Sequence, residues 1–170
     1  MNTELITNYF EIYGGLAIFV VVLLEYMNLP GFPAGIIMPL AGVYAAHGGL
    51  SLFSTIAISV AAGEIGSWIL YFLGMYGGNA FLKVYLRKFP KHEPAINHTF
   101  DLIRHKGFYG IFFSKLIPMI RTVISIPAGI MKMNFAKYSL ASFFGVTVWN
   151  TVFVGAGYMI GEPVLQLIGR

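Results

Sequence analysis

Residues 107–131 read GFYGIFFSKLIPMIRTVISIPAGIM, an apolar stretch that contains two prolines and two cations. The stretch is long enough to cross a bilayer, which takes about 20 apolar residues. Pro118 and Pro127 each remove a backbone hydrogen bond from a helix, so we expect a broken helix rather than a plain span. The cations are Lys115 and Arg121, and a charge deep in a membrane segment normally marks a pathway or a buried ion pair.

The whole chain has the composition of an integral membrane protein. Of its 170 residues, 57% are hydrophobic and 11% are charged, whereas a typical soluble domain has about 25% charged residues. The chain contains no cysteine, which excludes disulfides and thiolate metal sites. Three of its histidines, His92, His98 and His105, lie in a polar stretch, where we expect surface side chains rather than a metal site. We therefore expect no metal and no cofactor.

Five apolar segments predict an all-α fold with a single membrane domain over residues 1–170. Three segments are long enough to span the membrane and contain no proline: 12–29, 52–76 and 135–161. The other two, 32–46 and 107–131, contain prolines and are predicted to be broken, re-entrant elements. A polar stretch, 79–106, connects the two groups of segments.

This stretch, which we call the basic connector, carries much of the positive charge. All bases except Arg170 lie between Lys83 and Lys137, and residues 1–82 contain none. The positive-inside rule therefore places the basic connector in the cytoplasm. Its apolar residues recur at helical spacing, which predicts amphipathic helices in the membrane interface. A helical hairpin docked on the membrane domain is the alternative. Bases in this position favour anionic lipid rather than nucleic acid as the partner.

The segments on either side of the basic connector predict an inverted repeat. The first half, 12–78, and the second half, 107–161, each contain two prolines separated by eight residues and followed by an Ala-Gly pair. Transporters often combine two such halves, each with a discontinuous helix, around a substrate site near the bilayer midplane. The prolines expected at the re-entrant turns are Pro30, Pro33, Pro39, Pro118 and Pro127.

Four charged residues within the apolar segments are the candidate functional residues. Arg121 lies roughly 16 to 22 Å from either end of its segment at helical rise, and a guanidinium can hold a phosphate with two hydrogen bonds. Arg121 and Lys115 are therefore predicted to bind a substrate phosphate. Alternatively, Arg121 forms a structural ion pair with Glu25 or Glu64, and Lys115 extends to the cytoplasmic interface. The two glutamates are predicted to relay protons or to act as static counter-ions.

The order of these residues resembles the DedA family of VTT-domain membrane proteins, over about residues 20–161. In the first half the matching motifs are an acid, Glu25, a proline-rich turn, 29–33, and Leu40-Ala41-Gly42. The next helix has Gly66, Tyr71 and Gly74. The second half has Gly110, the cation Lys115, Pro118, Arg121 and Ala128-Gly129, followed by Trp149, Gly157-Tyr158 and Gly161.

The resemblance implies a multi-pass protein of the bacterial cytoplasmic membrane that is not an enzyme. Family members are linked to moving undecaprenyl phosphate or phosphatidylethanolamine between leaflets, as flippases or scramblases. Many members carry an acid in the first turn, where this chain has Pro33-Ala34-Gly35, so proton coupling is left open. The oligomeric state is left open as well. Two other functions also fit the intramembrane charges: a proton-coupled ion or small-solute transporter, and a non-transporting, lipid-binding protein that organises the membrane.

Overall fold

The computed structural model describes residues 3–27, 36–47, 50–118 and 120–168, and these residues form helices joined by short turns. A 3-10 turn, Pro90–His92, separates the third and fourth helices. In chain order the helices are α1 (Thr3–Tyr26), α2 (Ile37–Ala46), α3 (Leu52–Lys88), α4 (Glu93–Lys115), α5 (Ile120–Val123), α6 (Ser125–Ile130) and α7 (Phe135–Ile168). The predicted all-α fold is confirmed for this part of the chain.

Among the described residues, two helices have the length and hydropathy needed to cross a bilayer. They are the Leu52–Ala80 part of α3 and the Phe135–Gly161 part of α7, and they correspond to the predicted spans 52–76 and 135–161. The third predicted span, 12–29, is helical as far as Tyr26. Its described apolar part, Tyr13–Tyr26, is shorter than a bilayer crossing, so this span stays a prediction.

The basic connector lies between two glycines in the left-handed region of backbone conformation. Gly78 has φ +52° and interrupts α3, and Gly107 has φ +48° and interrupts α4. Glycine adopts this conformation without the steric cost that a side chain would add. The chain therefore bends immediately before residue 79 and immediately after residue 106, at the boundaries that the sequence predicts.

Between these bends the basic connector forms a helical hairpin whose apolar side chains pack on the protein. Tyr85 and Ile96 are buried in one cluster with Leu70, Val123 and Ile126. The apolar face of the hairpin thus contacts α3, α5 and α6, and its placement relative to the membrane interface stays a prediction. The bases of the hairpin are exposed: Lys83, Arg87, Lys88, Lys91, Arg104 and Lys106.

Segment 107–131 is broken, as its prolines predict. Helix α4 ends at Lys115, α5 begins at Ile120, and Pro118 lies in the turn between them. Pro39 and Pro127, in contrast, lie in the first turns of α2 and α6 and not in a turn between helices. The first turn of a helix tolerates proline because its N–H groups have no intrahelical acceptor.

Pro30 and Pro33 lie outside the described residues. The re-entrant course of both broken elements stays a prediction.

The two halves of the chain pack on each other through their short helices. Helix α2 packs mainly on α7, and α6 packs mainly on α3. A Cβ on Gly42 of α2 would overlap the carbonyl oxygen of Val154, and a Cβ on Gly157 of α7 would overlap that of Pro39. The backbones of α2 and α7 therefore touch directly, without a side chain between them.

The contact between α3 and α6 has the same form. A Cβ on Gly129 of α6 would overlap the carbonyl oxygen of Tyr71, and a Cβ on Gly74 of α3 would overlap that of Ile126. Each short helix thus lies against the long helix of the opposite half. The inverted repeat predicts such matched contacts, and the repeat itself stays a prediction.

Candidate functional site

The four predicted charged residues lie in the buried interior where α1, α3, α4, α5 and α7 meet. Arg121 of α5 donates a hydrogen bond from Nη2 to Oε1 of Glu25, at the end of α1. The two residues are 96 positions apart in the chain, and neither side chain is exposed to solvent. The pair links the two halves, as the structural alternative for Arg121 predicts.

Two aromatic rings flank the Arg121 guanidinium. Its Cζ lies 4.4 Å from the ring centre of Tyr26 and 5.0 Å from the ring centre of Trp149. A cation over an aromatic face is stabilised by the electrons of the ring, and more strongly where water is excluded. The rings therefore hold the guanidinium in a fixed plane between α1 and α7.

The guanidinium still has donors that no acceptor uses. Nε and Nη1 of Arg121 have no hydrogen-bond partner within the described part of the chain, and neither does Nε1 of the adjacent Trp149. Arginine has five N–H donors in a planar fork. A buried N–H without an acceptor costs free energy, so this part of the site favours an added anionic oxygen.

Lys115 is buried beside Arg121 and does not extend to the interface. Its Nζ donates to Oγ of Ser67 at 2.8 Å and to Oγ of Ser125 at 3.3 Å. It lies 6.0 Å from the ring centre of Tyr26. The side chain is 1% exposed, so the alternative in which Lys115 extends to the cytoplasmic interface is wrong for this conformation.

Glu64 lies on α3 and interacts electrostatically with Lys115. Its Oε1 accepts from Nε1 of Trp68 at 2.8 Å, and its Oε2 accepts from Oγ of Ser142 at 2.8 Å. The carboxylate is thus held by α3 and α7 together. We call Glu25, Glu64, Lys115 and Arg121 the charged cluster; it contains two cations and two carboxylates.

Neutral polar residues extend the charged cluster through hydrogen bonds. These residues were not identified from the sequence. Tyr26 donates from its hydroxyl to Oδ1 of Asn150 at 2.9 Å, and Asn150 donates to Oγ of Ser59 at 3.2 Å. On the other side, Tyr138 donates to Oγ of Ser125 at 2.7 Å.

One sequence signal for these residues was available. Ser59 and Ser67 are eight residues apart on α3, and Ser142 and Asn150 are eight apart on α7. Residues at this spacing lie on one face of a helix. Polar residues repeated along one face of an apolar span therefore indicate a buried polar interface between two helices.

No cluster of three or more metal-ligating side chains occurs in the part of the chain that the structure describes. The groups at the site are two cations, two carboxylates, hydroxyls and an amide. Such groups bind and exchange anions and protons through hydrogen bonds and charge.

The fold and the site define a helical membrane protein with a balanced set of charges buried between its two halves. The VTT domain family model matches residues 29–159. The chain belongs to this family, whose bacterial members are the DedA proteins. The resemblance predicted from the sequence is confirmed.

Three relatives show what the chain is similar to. It is 30% identical over 169 residues to undecaprenyl phosphate transporter A of Staphylococcus aureus (strain NCTC 8325 / PS 47), and the aligned region covers 97% of this chain and 83% of the relative. It is 26% identical over 153 residues to inner membrane protein YqjA of Escherichia coli (strain K12), with 88% of this chain and 69% of the relative aligned. It is 27% identical over 171 residues to an alkaline phosphatase-like protein of Lactococcus lactis subsp. lactis (strain IL1403), with 98% of this chain and 79% of the relative aligned. No solved structure shows significant similarity to the chain.

Proposed function

We propose that this protein moves a polyprenyl phosphate between the leaflets of the bacterial cytoplasmic membrane, as a flippase or scramblase. The substrate class comes from the name of the Staphylococcus aureus relative. The observation that carries the proposal is the buried guanidinium of Arg121, whose Nε and Nη1 have no acceptor within the described residues. When Glu25 releases Nη2, this nitrogen forms a pair of parallel donors with Nε or with Nη1, and such a pair matches two oxygens of a phosphate group.

The balance of charge in the cluster explains how an anion enters it. Arg121 and Lys115 are balanced by Glu25 and Glu64, and an uncompensated charge in a buried site is strongly unfavourable. An incoming phosphate adds negative charge, so a carboxylate has to leave the cations or take up a proton. Glu25 is the carboxylate that Arg121 holds directly. Release or protonation of Glu25 then accompanies phosphate binding, and this exchange is the step at which a proton gradient acts.

Lys115 and Glu64 are the second pair in this mechanism. Lys115 approaches the same space from the end of α4, and its hydroxyl partners, Ser67 and Ser125, come from α3 and α6. These partners are neutral and compete weakly with an anion for the ammonium. We assign Lys115 to hold the phosphate together with Arg121, and Glu64 to balance Lys115 when the phosphate has left.

The path of the lipid follows from the broken elements. A backbone group left unpaired by a break in a helix needs a polar surrounding within the membrane, and we assign this role to the charged cluster. We assign both elements a re-entrant course, with the exposed bases of the basic connector on the cytoplasmic side, where anionic lipid collects. The protein is then multi-pass.

Transport and hydrolysis are distinguished by their products. The name of the lactococcal relative and the contact between Ser67 and Lys115 favour a hydrolase as the second candidate, because a serine activated by a lysine is a known nucleophile. Transport leaves the phosphate ester intact, whereas hydrolysis releases inorganic phosphate. We assign no enzymatic activity to the chain.

The test is lipid exchange in liposomes that contain the purified protein. Labelled undecaprenyl phosphate and labelled phosphatidylethanolamine are placed in one leaflet, with and without a proton gradient, and released phosphate is measured in the same samples. We expect exchange of undecaprenyl phosphate and no released phosphate. Exchange of phosphatidylethanolamine alone would replace the substrate class, and released phosphate would replace transport by hydrolysis.

Variants of Arg121 connect the exchange to the site. Arg121→Lys keeps the positive charge but loses the planar fork, so we expect exchange to fall at least tenfold. Arg104→Lys makes the same change at an exposed arginine of the basic connector and keeps its charge, so it is the matched control, with exchange within twofold of wild type. Normal exchange in a folded Arg121→Lys protein would mean that the residue serves only as a structural ion pair.

A further inference from the structure

An apolar groove of about 530 Å³ runs along the outside of α3 and α7. Its aromatic walls include Phe53 and Trp68 of α3 and Phe143 of α7, and two small residues, Ala57 and Ala61, lie between them. We call it the α3–α7 groove. Because both alanines are exposed, the groove opens toward the lipid.

The groove is longer than the hydrocarbon layer of one leaflet. The distance from Phe53 to Trp68 along α3 is about 22 Å at helical rise. The hydrocarbon core of a bilayer is about 30 Å thick, so one leaflet contributes about 15 Å. A chain that lies in the groove therefore remains in contact with the protein across the midplane.

The groove meets the charged cluster at Glu64. This side chain lines the groove and also belongs to the cluster through its electrostatic interaction with Lys115. Thr147, on the opposite wall, has an Oγ1 without a hydrogen-bond partner among the described residues. Both residues line the groove and bring polar side chains to a lining that is otherwise apolar.

The size of the groove suits a hydrocarbon chain and not a helix. A helix of 10 Å diameter and the same length occupies on the order of 1,700 Å³, about three times the volume of the groove. A volume of this size is within the range of small-ligand pockets. The groove is therefore too small to enclose a helix of a second copy of the protein.

We infer that the α3–α7 groove holds the polyprenyl chain of the transported lipid while its phosphate lies at the charged cluster. This inference rests on the proposed function and adds a binding site for the hydrocarbon part of the substrate. Apolar walls bind the chain without desolvating any polar group, so the chain slides along α3 as the headgroup crosses between leaflets.

The test fills the groove without disturbing the core. Ala61→Trp places a large ring in the groove at an exposed position. Ala156→Trp makes the same change at an exposed position of α7 outside the groove and is the matched control. We expect undecaprenyl phosphate exchange in liposomes to fall at least tenfold in Ala61→Trp and to stay within twofold of wild type in Ala156→Trp. Ala57→Trp replaces Ala61→Trp if the latter does not fold.

Three outcomes would overturn the inference: wild-type exchange in the groove variant, an equal loss in both variants, and a changed oligomeric state in Ala61→Trp with exchange per chain intact.

A wild-type protein that moves no lipid would instead contradict the proposed function. In that case the groove is tested by binding, with a polyprenyl phosphate whose chain is brominated. Both proteins carry Trp149→Phe, which leaves Trp68 as the tryptophan that reports. Quenching of its fluorescence in micelles that Ala61→Phe abolishes would support the groove, and an equal response of both proteins would contradict it.

Discussion

Arg121 and Glu25 are held together by burial as well as by charge. Both side chains are inaccessible to solvent, and the rings of Tyr26 and Trp149 flank the guanidinium. Attraction within a buried pair is offset by the cost of removing both charges from water. Replacing one partner alone therefore costs much free energy of folding, whereas replacing both partners together costs little. A site that exchanges one anion for another needs this property.

This property predicts a non-additive pair of substitutions. Glu25→Gln leaves the Arg121 charge without its partner and should lower the free energy of unfolding by about 3–5 kcal/mol. The double variant Glu25→Gln/Arg121→Gln should lose clearly less than the sum of the two single variants. Denaturant titration in detergent micelles measures these differences.

The control for this cycle is Glu93→Gln, which changes an exposed glutamate of the basic connector. It should alter the free energy of unfolding by less than about 0.5 kcal/mol. Strict additivity of the single variants would mean that the two side chains do not depend on each other, contrary to the ion pair.

Much of the charged cluster could be predicted from the sequence, because a charge within an apolar segment is conspicuous. Arg121, Lys115, Glu25 and Glu64 were all identified in this way. The sequence left two candidate partners for Arg121, Glu25 and Glu64, because the choice between them depends on which helices meet. Tyr26 was missed because a tyrosine in an apolar helix has no signature that separates a polar contact from ordinary packing.

At the scale of the elements, glycines determine how the halves fit together. Gly129 of α6 and Gly74 of α3 bring two backbones into direct contact. A methyl group at either position would overlap a backbone carbonyl oxygen, which cannot move aside as the end of a flexible side chain can.

We therefore expect Gly129→Ala to destabilise the protein by at least about 1–3 kcal/mol, the usual cost of overpacking. Gly155→Ala is the matched control, because a Cβ on Gly155 meets no atom within 4 Å. Replacing a glycine by alanine inside a helix normally stabilises by about 0.5–1 kcal/mol. Thermal unfolding in micelles compares the two variants, and equal midpoints would contradict the close contact of α3 and α6.

The sequence located the break in segment 107–131 but not the alignment of the two halves. Prolines mark where a helix is interrupted, and Pro118 does lie in the turn after α4. Pairing Pro39 with Pro127, however, shifts the comparison by one residue, because the matched contacts are those of Pro39 and Ile126. The glycines that follow, Gly42 and Gly129, are the positions that occupy equivalent contacts. Close backbone approach requires glycine, whereas the first turn of a helix merely tolerates proline.

At the scale of the whole molecule, the basic connector and the start of α3 should lie on opposite sides of the membrane. The apolar Leu52–Ala80 part of α3 separates them, and the bases predict which side is cytoplasmic. The chain has no cysteine, so a single introduced cysteine reports the position of one residue without background.

We expect a membrane-impermeant maleimide to label Lys91→Cys only in inside-out vesicles. It should label Ser51→Cys only in right-side-out vesicles. Both residues are exposed, so access within the protein is equal at the two positions. Labelling of both variants from the same side would contradict the crossing of the membrane by α3.

The reciprocal packing of the short helices also constrains how the chain is made. Helix α2 leaves the ribosome before α3 to α6, but the backbone surface that receives it belongs to α7, which is made after them. Helix α2 therefore remains without its principal neighbour in the bilayer until α7 has been synthesised. A nascent chain halted before α7 consequently exposes an unpaired α2 to the machinery that removes unfinished membrane proteins.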